Sequence, residues 1–185
     1  MEQPVGPTPE FQRLFLLSLS EIEETPLREL AIYMADRHGH GPYIQGYLDA
    51  AELVRDSMRE IDRANTLLYP GLFLLRHAVE LALKEAIAKR TKKGGLKELW
   101  RTHNLQWLAE TFRENYEEAR EPFWDEYHVL LVDWEKADPG GMFFRYCRDH
   151  AGNPVDLGEI PRLTAERVWT HAKEAVQTIV GIADL

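Results

Sequence analysis

Arg76, His77, Glu80 and Lys84 stand close together in the chain, and their side-chain types can do chemistry. An arginine holds a phosphate through two parallel hydrogen bonds, and a histidine moves a proton near neutral pH. Arg76, Glu80 and Lys84 are spaced i, i+4, i+8, so on a helix they share one face and Glu80 can pair with either cation. Two readings follow. The stripe is either a salt-bridge ladder on a solvated helix face, or an ionisable site that an otherwise apolar helix concentrates at one place. His103, in Thr102-His103-Asn104-Leu105, either packs on Trp107 as part of a helix cap or folds back against the stripe as a binding residue. Arg145 and His150, in Arg145-Tyr146-Cys147-Arg148-Asp149-His150, form a second candidate pair, read alternatively as a strand arginine and a turn histidine.

These residues need elements to position them. On a helical wheel the segment Leu72 to Ile87 separates a wide apolar arc from a narrow polar one, the mark of a helix packed on several sides. The apolar arc carries Leu72, Leu74, Leu75, Ala78, Val79, Leu81, Ala82, Leu83 and Ala86, interrupted only by Glu85; Phe73, Arg76, His77, Glu80 and Lys84 share the other. This central helix is expected to start near Asn65-Thr66, run to about Arg90 and break at Gly94-Gly95. Before it, Tyr43 to Ile61 shows helical spacing through Tyr47, Ala51, Val54 and Met58. After it, Asn104 caps a helix through Leu105, Leu108, Ala109 and Phe112. Pro122 suits the first turn of the next, which carries Phe123, Tyr127, Leu130, Leu131 and Trp134 on one face and stops at Asp138-Pro139-Gly140-Gly141. Met142 to Leu157 reads as a β-hairpin, with Phe143, Phe144 and Tyr146 as strand residues, Arg145 and Cys147 on one strand face and Phe144 and Tyr146 on the other, a turn at Ala151-Gly152-Asn153-Pro154, and Val155-Asp156-Leu157 returning as a second short strand. Thr164 caps a last helix striped by Val168, Ala172, Ala175, Val176, Ile179 and Val180. Phe11 to Ile22 fits a short helix or a strand. The expected architecture is all-α: one domain over 1–185, in which an irregular extension, 1–42, precedes an antiparallel helical bundle, 43–185, with a short β-hairpin inserted before the C-terminal helix.

Leu75-Arg76-His77-Ala78-Val79-Glu80-Leu81-Ala82-Leu83-Lys84 followed by His103-Asn104-Leu105 resembles the HEPN superfamily, in members where a Leu-Arg-His-x-x-Glu-Leu-x-x-Lys helix precedes a His-Asn-Leu or His-Asp-Leu helix start. Phe144-Arg145-Tyr146 and the turn with Gly152 are similar to a further element of such proteins. The resemblance implies an antiparallel bundle, often dimeric. It also implies, for many members, metal-independent ribonuclease activity in bacterial antiviral defence, toxin–antitoxin pairs or RNA processing. The family's active-site motif, Arg-x4–6-His, corresponds here to Arg145 and His150, although the family sets that motif at a helix start and the residues here predict a hairpin.

The bulk composition narrows the function classes. The 185 residues carry a formal net charge of -9, which opposes broad electrostatic capture of nucleic acid, and sequence-specific DNA binding is not expected. Basic residues nevertheless cluster from Lys84 to Arg101, through Lys89, Arg90, Lys92, Lys93 and Lys97, while Glu110 to Asp138 is acidic. These are either solvated faces or, for the basic run, a local phosphate-binding patch. A lone cysteine, Cys147, permits no internal disulfide, and no His-Glu-x-x-His, Walker loop or dinucleotide fingerprint occurs, so neither metal nor cofactor is expected. The N-terminus shows no secretory signal, and the longest uncharged run, Ala64 to Leu75, is too short for a bilayer, so a cytoplasmic, non-membrane protein is expected. The leading expectation is cleavage of single-stranded RNA by Arg76 or Arg145 with His77 or His150, with Glu80, Lys84 and His103 as binding residues. A homodimer, or a partner protein from the same operon, would complete the site. Two alternatives stay open: a non-catalytic, partner-binding or toxin-neutralising subunit, and a nucleotide or small-anion sensor built on Arg76, His77 and Lys84.

Overall fold

The computed structural model describes residues 41–60, 64–91, 96–121, 123–146, 148, 151–154 and 162–184. Contacts divide the chain at Gly39/His40, and every described residue belongs to the second unit, His40–Leu185. Phe11 to Ile22, Gly94-Gly95, Pro122, Cys147 and His150 lie outside the described residues.

Seven α-helices appear among them: α1 (Gly41–Glu60), α2 (Ala64–Arg90), α3 (Leu96–Arg101), α4 (Leu105–Asn115), α5 (Phe123–Ala137), α6 (Phe143–Tyr146) and α7 (Arg162–Ala183). Short 3-10 turns at Glu118–Arg120 and Pro139–Gly141 lead into α5 and α6. The apolar arc expected of α2 is the organising surface. It packs against α1, α3, α4, α6 and α7, so Leu72, Leu75, Ala78, Val79, Ala82, Leu83 and Ala86 are all buried, while Leu74 and Leu81 of the same arc are half-buried. Surrounded in this way, a helix must be apolar nearly all round, which explains why Thr66–Arg90 is also long and apolar enough to cross a bilayer.

Local chemistry sets the other helices. Asn104 is extended, and its side chain accepts the Trp107 N–H at 2.7 Å, which places Leu105, Leu108, Ala109 and Phe112 on the buried face of α4. Helix α7 begins at Arg162, ahead of Thr164, and buries Trp169, Ala172, Ala175, Val176 and Ile179. Trp169 is driven against α1 and α2. Its indole N–H donates to the Ala51 carbonyl at 3.3 Å, and a Cβ placed on Gly71 would stand 2.5 Å from the indole ring. Only glycine lets α2 and α7 approach so closely.

The expected hairpin is a correction. Phe143–Tyr146 is a turn of helix, closed by Tyr146 N–H donating to the Met142 carbonyl at 3.0 Å. Gly140 and Gly141 turn the chain at φ 63° and 69°, and the Asp138 carboxylate accepts the Phe143 N–H at 2.7 Å, capping the new turn. Phe144 is thereby buried and stacked on Tyr69 at 6.1 Å between centroids. Aromatic residues favour strands only where a sheet receives them, and here a helix surface does. Among the described residues, what pairs afterwards is an isolated antiparallel bridge, Arg148 to Pro154, around Gly152; Val155-Asp156-Leu157 lies outside them. Helix α3 was not anticipated either; it is a six-residue element whose single buried side chain is Leu99.

Candidate functional site

The three charged residues of the polar stripe of α2 are buried like the core of its apolar arc, while His77 is half-buried. Arg76 is 2 % exposed, and Glu80 and Lys84 are equally enclosed, so the groups that resembled a solvated ladder are core. Helical spacing makes the first contacts: Glu80 Oε2 accepts from Arg76 Nη1 at 3.1 Å and Oε1 from Lys84 Nζ at 2.7 Å. Tertiary packing makes the rest. Arg76 Nη2 donates to the His103 carbonyl at 2.8 Å and to Glu135 Oε2 at 3.0 Å, while Nε lies 3.4 Å from Asp138 Oδ2, poorly aligned for a hydrogen bond. Glu135 in turn accepts the Leu105 N–H at 2.8 Å and the Gly140 N–H at 2.9 Å, an anion set against the open N-terminus of α4. One guanidinium thus ties α2 to the start of α4, the end of α5 and the turn before α6.

Electrostatics follow burial and pairing. Burial raises the carboxyl of Asp138 above its ordinary value, against the pull of Arg76 and the Phe143 N–H. Burial would also raise Glu80, but the hydrogen bond and charge of Lys84, with His103 and Arg76, hold it lower than usual. His77 is half-buried, and burial lowers its pKa; Glu80 opposes this, while the charges of Lys84, Arg145 and His103 add to it. Its ring stacks on Phe73 at 5.7 Å and meets Tyr47 edge-on at 4.5 Å. His77 is therefore a neutral imidazole at pH 7.

His103 does fold back against the stripe. Its Nδ1 is 2.9 Å from Glu80 Oε1, and its side chain is 43 % exposed. A carboxylate accepts only, so Nδ1 carries a proton toward Glu80 and Nε2 is the ring nitrogen left facing away from it. Arg145 sits at the rim on α6 and is exposed; Nε donates to the Gly141 carbonyl at 2.6 Å, and the guanidinium lies 5.6 Å from the Phe73 ring and 5.5 Å from that of Tyr146. The structure therefore brings Arg76, His77, Glu80, Lys84 and His103 together, with Arg145 within electrostatic reach of His77. His150 lies outside the described residues, so its distance from Arg145 is not part of this geometry.

The basic run divides. Lys84 is internal, Lys89 donates to the Ala183 carbonyl at 3.0 Å and to that of Asp184, and Arg90 covers the Tyr116 ring at 4.8 Å. Lys97 and Arg101 remain exposed, lining with Glu98 and Thr102 an open groove of about 620 Å³ that ends one residue from His103. Glu135 and Asp138 were missed as site residues because they close a run that reads as an acidic outer face. Their signal was spacing: with Leu131 and Trp134 they fall at i, i+3, i+4, i+7 on the buried side of α5 and the turn after it. Among the described residues no group of three His, Cys, Asp or Glu side chains is placed to hold a metal ion. Comparison with protein-family models, curated proteins and solved structures finds no match to this chain, so the geometry of its own residues carries the functional argument.

Proposed function

We propose that this chain is a HEPN-like, metal-independent endoribonuclease of a bacterial stress or defence system, acting on single-stranded RNA in the cytoplasm. The observation that carries the reading is His103: a half-open imidazole whose Nδ1 is held at 2.9 Å by a buried carboxylate, leaving Nε2 as a base oriented from behind. In the reaction Nε2 takes the proton of a ribose 2′-OH, and the 2′-oxygen attacks the adjacent phosphorus. The bond from phosphorus to the 5′-oxygen breaks as that oxygen gains a proton, leaving a 2′,3′-cyclic phosphate and a 5′-hydroxyl end. The Arg145 guanidinium offsets charge on the phosphorane-like transition state, and the departing 5′-oxygen takes its proton from water, because His77 is already neutral and lines the site without an acidic proton to give. Arg76 is a positioning residue in this scheme. Its donors are taken by Glu80, Glu135 and the His103 carbonyl, so a phosphate reaches it only by displacing them.

The test is cleavage of a labelled RNA oligonucleotide with EDTA present, with the ends of the products identified. Wild-type protein should yield cyclic phosphate ends, His103→Ala should lose about 10²–10⁴-fold in rate, and Glu80→Gln should fall in between with a displaced pH profile. An inert wild type, or an undiminished His103→Ala, defeats the proposal. One observation favours a second, non-catalytic reading: Glu110, Glu114, Glu117, Glu118, Glu121, Asp125 and Glu126 are all exposed, a surface suited to covering a basic partner such as a toxin.

A further inference from the structure

The tryptophans divide in a way that the fold does not require. Of the five in the chain, Trp124, Trp134 and Trp169 are buried core residues, as so large an apolar ring is expected to be. Trp100 and Trp107 instead remain 37 % and 39 % exposed, three residues before His103 and four after it. Each is on an outward face. In α3, Leu99 turns inward, and Lys97, Trp100 and Arg101 fall within about 100° of one another on the opposite side. In α4, Leu105, Leu108 and Phe112 turn inward and Trp107 stands opposite, held in the first turn by the Asn104 cap. Lys97 and Arg101 also line the open groove that runs to Thr102. Exposed indoles beside exposed cations are what a surface needs to stack bases while it follows a phosphate backbone. The formal net charge of -9 opposes broad attraction for a polyanion, so local cations such as these must supply it. Glu98 in the groove and Glu110 one turn beyond Trp107 limit its strength and keep it local.

We propose that Trp100 and Trp107, with Lys97 and Arg101, form a base-stacking subsite that holds an unpaired polynucleotide across His103. The proposal rests on the ribonuclease reading for its biological sense but not for its test. Stacking needs a free base face, so the occupant is single-stranded; the indoles discriminate little between bases, so recognition tolerates sequence.

The probe is a fluorescein-labelled single-stranded deoxyoligonucleotide of mixed sequence, which lacks the 2′-OH and cannot be cut by the proposed route. Anisotropy titrations should show binding that weakens about tenfold for Trp107→Ala and again for Trp100→Ala. Trp107→Phe should largely restore it, because a phenyl ring still stacks. Lys97→Ala and Arg101→Ala should each lower the salt slope of binding by about one. A duplex of the same sequence should bind far more weakly. Equal affinity for duplex and single strand, or unchanged binding by Trp107→Ala with an unaltered melting curve, overturns the subsite. Binding of a protein partner that Trp107→Ala abolishes, with no oligonucleotide bound, overturns it too. The two readings fail separately: a protein that binds the deoxyoligonucleotide but leaves RNA intact keeps this subsite and loses the nuclease, and RNA cleavage indifferent to both tryptophans does the reverse.

Discussion

Replacing Arg76 by alanine should be among the most damaging single changes to this fold, and damaging in a pH-dependent way. The guanidinium is 2 % exposed and faces Glu80, Glu135 and Asp138, of which Asp138 is 0 % exposed. Without it Glu80 keeps Lys84, and Glu135 keeps the Leu105 and Gly140 N–H groups. Asp138 keeps the Phe143 and Phe144 N–H groups and the more distant charge of Arg145, but no counter-charge in contact. Breaking a buried pair by removing one partner costs about 3–5 kcal/mol. For a chain of this size that is a fall in Tm of about 8–16 °C. The pH dependence follows from the carboxyls. Burial already raises Asp138, so its contribution to stability is fullest in acid and is lost as pH rises through its folded value. Removing Arg76 raises it further, and it also relaxes the depression of Glu80, whose stabilising contribution in the wild type is lost as pH falls through its own lowered value. Both effects make the variant's deficit largest near neutrality and smaller in acid. Urea unfolding followed by helical circular dichroism, at about pH 7.5 and about pH 5, measures it. Arg76→Lys, which keeps the charge but cannot span four acceptors, should fall in between. A deficit below about 1 kcal/mol at neutral pH, or one that widens in acid, would refute the argument.

Three further outcomes are expected. His77→Phe should keep the stack on Phe73 and soften the loss of stability below about pH 6.5. There the unfolded wild-type chain binds a proton that the half-buried imidazole resists, so stability rises with pH in that window; urea midpoints across the range would show whether the slope changes. Gly71→Ala should destabilise by about 1–3 kcal/mol despite alanine's better helix propensity, because its Cβ would meet the Trp169 ring at 2.5 Å; a neutral or stabilising thermal melt would contradict the close packing of α2 and α7. Gly141→Ala should cost more than Gly152→Ala: both sit at positive φ, but only at Gly141 would the methyl approach Arg76 Nη1, at 2.9 Å, whereas Gly152 faces open space, and equal melting temperatures would deny that difference.

Much of the frame could be read without coordinates. The apolar arc of α2, the Asn104 cap and the stripes of α4, α5 and α7 rest on local periodicity and capping, which depend on neighbours in the chain. The pairing of Glu80 with Arg76 and Lys84 was legible for the same reason, since i, i+4 contacts are properties of a helix itself. The segment after Gly141 was not legible. Phe143, Phe144 and Tyr146 have strand-like composition, and only the presence of Tyr69 on α2 and the capping carboxylate of Asp138 makes a helical turn the better arrangement.

Whether the polar stripe faced water or the interior was beyond the one-dimensional pattern, because a charged helix face looks the same in either setting. Helical spacing alone establishes that Arg76, Glu80 and Lys84 share a face. Burial there needs counter-charges that arrive from far along the chain, and Glu135 and Asp138 deliver them from the end of α5. That same closure presses the carbonyl of His103 onto Arg76 and its ring onto Glu80, so the oriented, half-open histidine of this site exists only once the helices have met.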